Sequence, residues 1–571
     1  MRKIFASKSG LFFLILILFG INFLASFLHS RFDLTKEKRY TLSKATKDLL
    51  RNLDDEVRIE VFFKGNYPAG FKKIVNSVQE FLEEAREYAH GHMMIRYSDP
   101  LKGLADDSLG KRFKDSMNYY YGITAYTIQA PSKVGDEMNF KQVLPGAVIH
   151  YKDTSIGVNL IKGIKNYGTE QEQLAALYND VEATLEYKFA SAIQKITSTT
   201  KPLVGYTLGN GEIWGPKVDD AVRTLFHDYR FDTINVKQVP FIPSTFNALI
   251  ILKPTKSFSD ADKMKIDQYV MRGGKIFWMI DNMYAEFDSL LKSDGFIAFD
   301  RGLNLEDILF RYGVRLNENL LQDMQCDKLG QVSNDPNNRQ TRLVDWPFFP
   351  ILNGTSHPIS KNLDGVRAMF PNTLDTVRAE GIEKTFLLRS SANARVLEAP
   401  AKVDLEFWQI APDIKQFTVH DTTVAALLEG KFRSLYANRI PKSFADSMAA
   451  YNIPVRSVCD SETKMIVVAD GDIAISQVSP QYGPMPMGYN FFTNYTFANK
   501  EFFSNCVEYL VNPSGILETR AKNFTLRLLD LKKVKEQKAT WQFINIALPV
   551  LIIILFGFIY QQLRKRKYAA G

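Results

Sequence analysis

The chain contains few cysteines. It has three in 571 residues, Cys326, Cys459 and Cys506, and they lie far apart in the sequence. An odd number cannot all be paired, and no two of them have the CxxC spacing of redox or zinc motifs. The sequence therefore excludes a small scaffold held together by disulfides, and the cysteine count by itself does not decide the cellular compartment.

The central part of the chain lacks an excess of basic residues. The formal net charge is +8, but Arg2, Lys3 and Lys8 contribute three of these charges and residues 564–567 contribute four. Residues 1–10 and 561–571 contain no acid, so about one excess charge remains for everything between them. A nucleic-acid-binding domain needs a basic face, and we therefore expect no nucleic-acid partner.

The chain also lacks the motifs of nucleotide and serine hydrolases. Residues 209–217, GNGEIWGPK, do not have the GxxxxGK[ST] order of a P-loop. Residues 354–358, GTSHP, have proline where the GxSxG motif has glycine. Cys506 lies in an apolar helical run, where cysteine is usually inert, and His90 and His92 have no further ligand nearby. We predict no catalytic residues, no metal site and no cofactor.

Two apolar segments are long enough to cross a membrane. Residues 11–28 read LFFLILILFGINFLASFL, and a helix of this length spans about 27 Å, close to one hydrocarbon core. The segment exceeds a signal-peptide core and no A-x-A site follows, so we predict an uncleaved anchor. Residues 543–560 form the second span, preceded by the interfacial Trp541. Asn22 and Asn545 lie within the spans and are candidate contacts with partner helices; alternatively, Asn545 simply lies near the interface.

The charged flanks predict the orientation of the chain. Short flanks rich in Lys and Arg stay in the cytoplasm. Residues 1–10 and 561–571 are therefore expected to be a cytoplasmic N-terminus and a cytoplasmic basic tail. The long region between the spans is expected on the other side of the membrane.

The first outer domain is predicted for residues 31–198. Residues 31–35, RFDLT, alternate like a strand, Ser43 is a suitable N-cap, and Leu49 and Leu53 lie four residues apart, as on one face of a helix. The further predicted elements are a strand at 57–64, a helix at 71–90, a strand at 93–99, a hairpin at 143–161 and a long helix at 170–196. Alternation of strands and helices indicates an α/β layer.

A second α/β domain is predicted for residues 199–520. Apolar strands such as 202–208 and 275–281 alternate with helices such as 259–274, which is typical of a doubly wound sheet. Residues 320–460 show little clear hydrophobic periodicity and are interpreted as an irregular insertion. A juxtamembrane helix at 521–541 is expected to lead into the second span.

Polar residues follow two predicted strands of this domain. Ligands in open α/β sheets bind at the carboxyl ends of strands. We therefore define one candidate ligand crevice, lined by Gly209, Asn210, Gly211, Glu212 and Asp281. The alternative is a tight turn whose glycines adopt positive φ and whose polar groups cap a helix. Residues 469–474, ADGDIA, lack the repeated Asp and the final Glu of a calcium loop and are interpreted as a turn.

The ordered set of segments resembles the auxiliary proteins of ABC-type transport systems. The segments are RFDLTKEKRYTLSKATKDLL with VRIEVFF, then GYTLGNGE, NALIILKPTKSFSDADKMKIDQYVMRGGKIFWMID and MIVVADGDIA. With both anchors, the resemblance is greatest to the gliding-motility-associated GldG branch of Bacteroidetes. It implies a GIFT-like first domain, named for gliding and intraflagellar-transport proteins. It also implies a Rossmann-like second domain, similar to class I glutamine amidotransferases without their catalytic residues.

This resemblance implies a two-span α/β protein of the bacterial inner membrane with a periplasmic main domain. It would be an auxiliary or coupling subunit in gliding motility and the linked type IX protein secretion. The implied partners are a polytopic ABC permease, through it a cytoplasmic ATPase, and inner-membrane lipid. Two alternatives stay open: an anchored solute-, glycan- or peptide-binding module of the same transporter, and a degenerate amidotransferase-like hydrolase, which would need a nucleophile and a base near Asn210.

Overall fold

The computed structural model divides the chain into two units. It describes residues 41–104, 108–130, 139–161, 170–293, 295–332, 341–405, 413–521 and 531–568, with five residues between 16 and 23. The first unit contains residues up to 163 and 180–523, and the second contains residues 164–179 and 524–571. Most of the predicted first span, with Asn22, and the strand predicted at 31–35 lie outside the described residues.

The N-terminal part of the first unit is a small α/β domain. Its elements are α1 (Lys44–Arg51), β1 (Val57–Val61), α2 (Ala69–Tyr88), β2 (Met93–Tyr97), α3 (Ser108–Tyr121), β3 (Tyr126–Ala130), β4 (Asn139–Val143), β5 (Gly146–Tyr151), β6 (Thr154–Asn159) and α4 (Glu170–Thr197), whose first ten residues belong to the second unit. The sheet order is β2-β1-β5-β6, and β3 pairs with β4. Strand β1 runs parallel to β2 and antiparallel to β5. The strands, helices and hairpin predicted between residues 57 and 196 are confirmed.

The start of α1 shows how a local sequence signal is used in the tertiary structure. Ser43 Oγ accepts a hydrogen bond from the Thr46 amide at 3.1 Å, which confirms the predicted N-cap. Glu186 on α4 accepts hydrogen bonds from the Ser43 amide at 2.7 Å and from Thr46 Oγ1 at 2.8 Å. The cap of α1 is therefore fixed to α4 by one buried carboxylate.

The larger domain follows with many short strands. Its strands are β7 (Leu203–Leu208), β8 (Arg230–Asn235), β9 (Ala248–Leu252), β10 (Ile276–Met279), β11 (Met283–Tyr284), β12 (Gly295–Asp300), β13 (Val314–Leu316), β14 (Asn319–Asp323), β15 (Cys326–Val332), β16 (Thr341–Gly354), β17 (Val366–Arg367), β18 (Leu374–Thr376), β19 (Ile382–Arg389), β20 (Ala394–Glu398), β21 (Ala401–Asp404), β22 (Thr423–Gly430), β23 (Thr463–Val468), β24 (Val478–Ser479), β25 (Gly483–Pro484), β26 (Tyr489–Asn490) and β27 (Tyr495–Thr496). Its helices are α5 (Asp219–Asp228), α6 (Asp260–Met271), α7 (Phe287–Ser293), α8 (Glu306–Tyr312), α9 (Lys442–Ala450) and α10 (Asn499–Val511).

One mixed sheet organises this domain. Its order is β15-β16-β19-β22-β23-β10-β9-β7-β8, with β17 paired to β16. Strands β8, β7, β9, β10 and β23 are parallel. From β22 onward the pairing is antiparallel. Residues 320–460, in which the sequence shows few hydrophobic periodicities, therefore supply five strands of the sheet, β15, β16, β17, β19 and β22.

The core lies on both sides of the parallel strands. All residues of β9 and β10 are buried, as expected for parallel strands covered on both faces. Trp278 and Tyr269 are fully buried in the same cluster. Helix α6 begins with a capping box between Ser259 and Asp262, so its start is set by the sequence.

The second unit contains the C-terminal helix. Its elements are α11 (Leu531–Gln542), a π-helical turn (Phe543–Ala547) and α12 (Leu548–Tyr568). Within the described residues, Gln537–Arg566 is the one helix long and apolar enough to cross a membrane, and an 18-residue stretch of it has a mean hydropathy of 2.6. It contains the predicted span at 543–560. Asn545 is exposed in the π-helical turn, and its predicted contact with a partner helix stays a prediction.

The buried strand β9 generates a stability prediction. Replacing Ile250 by Ala should lower the free energy of unfolding by about 2–5 kcal/mol, because it opens a cavity at a 1% exposed position. Ile297→Ala, at a 60% exposed position of β12, should change it by less than about 0.5 kcal/mol. Urea unfolding of the full chain in detergent measures both, and equal effects would contradict the assigned core.

Candidate functional site

Charged residues follow three adjacent parallel strands at the same edge of the sheet. Met279, the last residue of β10, pairs in register with Leu252 of β9 and Val468 of β23. The three strands therefore end at the same level. The side chains that follow them form a group that we call the Lys253 cluster; its members are Lys253, Asp281, Glu286, Asp470 and Asp472.

The Lys253 ammonium lies at the centre of this cluster. Its Nζ atom is 2.5 Å from Asp472 Oδ1, 2.8 Å from Asp281 Oδ2 and 3.2 Å from Glu286 Oε2. The Lys253 side chain is 2% exposed. Arg301 contacts the other oxygen of Glu286 at 2.7 Å and so balances part of the remaining negative charge. The result is a buried network of ion pairs from several elements of the fold.

Backbone groups hold the carboxylates in place. Asp470 accepts hydrogen bonds from the Asp472 amide at 2.6 Å and from the Met369 amide at 2.8 Å. Asp281 accepts one from the Gly471 amide. A Cβ atom on Gly471 would lie 2.7 Å from Lys253 Cβ, so only glycine allows the loop after β23 to approach Lys253 this closely.

Burial and charge shift the pKa values of the cluster in a consistent pattern. Burial by itself would lower the pKa of Lys253, but Asp281, Asp472 and Glu286 outweigh it and hold this pKa well above its usual value. Burial, with the nearby carboxylates of Asp472 and Asp281, raises the pKa of Asp470 well above its usual value. Burial also raises the pKa of Asp472 to about 7, although the Lys253 ammonium opposes the shift. These shifts favour a charged Lys253 together with a neighbouring pair of aspartates, Asp470 and Asp472, that is partly protonated.

Three of the carboxylates lie close enough for a shared cation. Oxygen atoms of Asp281, Asp470 and Asp472 all lie within 4.8 Å of one another. Hard divalent cations take such oxygen ligands. Here the Lys253 ammonium already contacts Asp281 and Asp472, so a divalent cation would have to displace it against a strong repulsion. The donor set fits the lysine better than a resident metal ion.

The predicted ligand crevice lies after β7, and its polar groups are turned inward. Asn210 is fully buried, and its carbonyl oxygen accepts hydrogen bonds from the amides of Thr255 and Lys256 at 3.0 and 2.8 Å. Glu212 accepts one from the Asn210 amide at 2.7 Å. Gly211 has φ of 79°, and a Cβ atom there would lie 2.2 Å from Thr255 Oγ1. A glycine turn accounts for these features, but no side chain caps helix α5 or the 3-10 turn that precedes it.

The predicted crevice residues belong to two different hydrogen-bonded groups. Asp281 belongs to the Lys253 cluster. Gly209, with φ of 118°, Asn210, Gly211 and Glu212 belong to the turn after β7. No hydrogen bond or ion pair connects the side chains of Asn210 or Glu212 to the cluster among the described residues. Ligand binding at this crevice stays a prediction.

Sequence reasoning missed most of the Lys253 cluster. Lys253, Asp281 and Asp470 each end an apolar strand segment, in ALIILK, KIFWMID and MIVVAD. An apolar strand segment that ends in a charged residue is the sequence pattern that could have located this cluster. The turn predicted at 469–474 is confirmed, since a short 3-10 helix covers Asp472–Ala474, but its acids also contribute to the ion-pair network.

The hydrolase alternative requires a nucleophile and a base near Asn210, and it stays a prediction. Cys506 is fully buried, and burial raises the pKa of its thiol well above the usual value. The buried side-chain amide of Asn210 has no hydrogen-bond partner among the residues that the structure describes. This arrangement offers no support for the hydrolase alternative.

Comparisons with known proteins identify the family. A family model described as an ABC-type uncharacterized transport system matches residues 201–506, more than half of the 571 residues. The chain belongs to this family. We refer to it as the ABC transport auxiliary family. A second model, a domain of unknown function, matches residues 36–150.

Individual relatives are distant. An uncharacterized protein of Borreliella burgdorferi is 20% identical over 432 residues, which covers 72% of this chain and 75% of that protein. Among solved structures, the mmIFT52 N-terminal domain is 12% identical with a TM-score of 0.30, covering 54% of this chain and 97% of that chain.

The ion pairs of Lys253 are expected to stabilise the fold. Lys253→Met should lower the free energy of unfolding by about 3–5 kcal/mol, because it leaves buried carboxylates without their partner. Lys256→Met changes an exposed lysine three residues further along and should cost less than about 0.5 kcal/mol. Chemical unfolding of the full chain compares them, and a stable Lys253→Met protein would contradict the ion-pair network.

The second prediction concerns pH. The pKa of Asp472 is raised from 3.8 to about 7 in the folded chain, so its contribution to stability is present below about pH 4 and is lost as the pH rises through about 7. Each pKa unit corresponds to about 1.4 kcal/mol. Asp472→Asn imitates the protonated acid and should flatten the fall in thermal stability across this range.

Asp446→Asn provides the control for the pH prediction, because Asp446 is an exposed aspartate on α9. It should leave the pH profile of the unfolding midpoint unchanged. Parallel profiles for the wild type and Asp472→Asn would show that Asp472 does not carry the dependence.

Proposed function

We propose that this chain is a membrane-anchored periplasmic coupling subunit of an ABC transporter-type complex, without enzymatic activity of its own. Its membership of the ABC transport auxiliary family is the observation that carries the proposal. The sequence contains no P-loop, so ATP would be bound by a separate cytoplasmic ATPase. The chain would transmit or receive conformational change through a polytopic permease.

The closed strand ends support a structural role over a catalytic one. Enzymes with open α/β sheets use the carboxyl ends of the strands to bind ligands. In this chain, Lys253 and Asp281 fill that position with side chains that are 2% and 7% exposed. The ion pairs join the loops after β9, β10 and β23. Such a network suits a domain that moves as one body.

The C-terminal helix supports the anchoring role. Apolar side chains between residues 548 and 560 are exposed, and lipid or a permease helix would cover them. The basic residues 564–567 follow at once, which favours a cytoplasmic C-terminus. The resemblance to the gliding-motility-associated branch adds the proposed process: gliding and the linked type IX protein secretion at the inner membrane.

Co-purification tests the proposal. The tagged chain is crosslinked in native membranes, solubilised in mild detergent and analysed by mass spectrometry. We expect a polytopic permease and an ATPase of the ABC type to be recovered with it. Recovery of the chain alone, even after crosslinking, would refute the coupling role.

A matched pair of variants tests the membrane contact within the same experiment. Asn545→Leu removes an exposed amide from the candidate span and should reduce permease recovery if that amide bonds a permease helix. Ile546→Leu changes the neighbouring exposed residue without changing polarity and should leave recovery unchanged. Equal recovery for both variants would restrict the contact to other parts of the chain.

A further inference from the structure

The N-terminal domain contains a cavity that is more open than the Lys253 cluster. A cavity of about 950 Å³ is bordered by the segments that follow β1 and β2, by α3 and by β4. It lies at the carboxyl ends of two parallel strands, because β1 and β2 run in the same direction. Ligand cavities in proteins commonly measure about 300–1,000 Å³, so this one can hold an organic molecule.

The wall of the cavity is strongly basic. Among the described residues, the cations that line it are Lys64, Arg96, Lys102, Lys114 and Lys141, and the acid that lines it is Asp99. Asp99 pairs with Lys141 at 3.2 Å. Lys114 Nζ donates a hydrogen bond to Gln142 Oε1 at 2.6 Å.

Three of these cations lack a carboxylate partner among the residues that the structure describes. Within the described ranges, Lys64, Arg96 and Lys102 form no ion pair. Like charges that converge on one concave surface repel each other, and the concentrated field attracts anions. The charge pattern therefore indicates an anionic ligand.

We propose that this cavity binds a phosphate-type oxyanion that is part of a larger molecule. Arginine binds phosphate with a planar fork of donors, and lysine adds point charges. The volume exceeds that of inorganic phosphate, and Leu101 and Leu104 add apolar wall for the rest of the ligand. A soluble organic phosphate and an anionic phospholipid headgroup share this chemistry. The site is independent of the proposed coupling role.

Binding measurements test the site in the full chain. In nonionic detergent, isothermal titration calorimetry uses pyrophosphate and glycerol 3-phosphate as probes. In a second arm, the chain is reconstituted in phosphatidylcholine nanodiscs with or without phosphatidylglycerol, and hydrogen exchange reports on β2 and α3. Saturable binding of a soluble probe indicates a soluble organic phosphate. Protection that appears only with phosphatidylglycerol indicates a lipid headgroup.

A charge-matched pair of variants assigns the binding to the cavity. The double variant Lys64→Gln with Arg96→Gln should weaken binding by about tenfold or more, because each loses a charge-assisted hydrogen bond. Lys111→Gln with Arg112→Gln removes the same charge from exposed positions of α3 outside the cavity and should change the Kd by less than about twofold. Absence of binding in both arms, or equal weakening by both double variants, would overturn the proposal.

Discussion

The buried ammonium of Lys253 is the interaction on which the centre of the large sheet depends. Removing a charge from water costs several kcal/mol, and only well-placed opposite charges offset it. Lys253 meets this condition because Asp281 and Asp472 lie 2.8 and 2.5 Å away. Those distances require β9, β10 and β23 to end in register and require glycine at position 471. The ion pairs occupy the carboxyl ends of these three strands.

A second buried ion pair serves the antiparallel half of the sheet. Arg367 of β17 contacts Asp327 of β15 at 2.5 Å, and Asn490 donates to both oxygens of that carboxylate at 2.7 Å. Arg367 and Asp327 are 5% and 3% exposed. The region that the sequence reading interpreted as an irregular insertion is thus joined by buried polar contacts as well as by strand pairing.

The carboxyl ends of the parallel strands have different surroundings in the two α/β domains. In the larger domain, internal ion pairs occupy the carboxyl ends of the parallel strands. In the N-terminal domain, the corresponding ends border an open cavity whose described lining includes five cations and one carboxylate. For the proposed coupling subunit, the ion pairs would keep one domain rigid and the cavity would let the other respond to the proposed anionic ligand. The apolar helix Gln537–Arg566 supports membrane association of the chain.

Local signals in the sequence determined several elements directly. The apolar run at 543–560 predicts the C-terminal membrane helix because it is continuous and ends in basic residues. Ser43 predicts the start of α1, and alternating strands and helices between residues 57 and 97 predict the layer, because capping and periodicity act over a few residues. The ABC transport auxiliary family was also recognisable from the order of such segments.

Only the tertiary structure decided the strands of residues 320–460 and the two charged sites. Strand β16 has a buried run at 346–352 with two prolines, so it shows no alternation to detect. Lys253 and Asp472 are 219 residues apart in the chain, and the cations of the N-terminal cavity come from four separate segments. Contacts between residues distant in sequence depend on sheet register and packing, which no local pattern encodes.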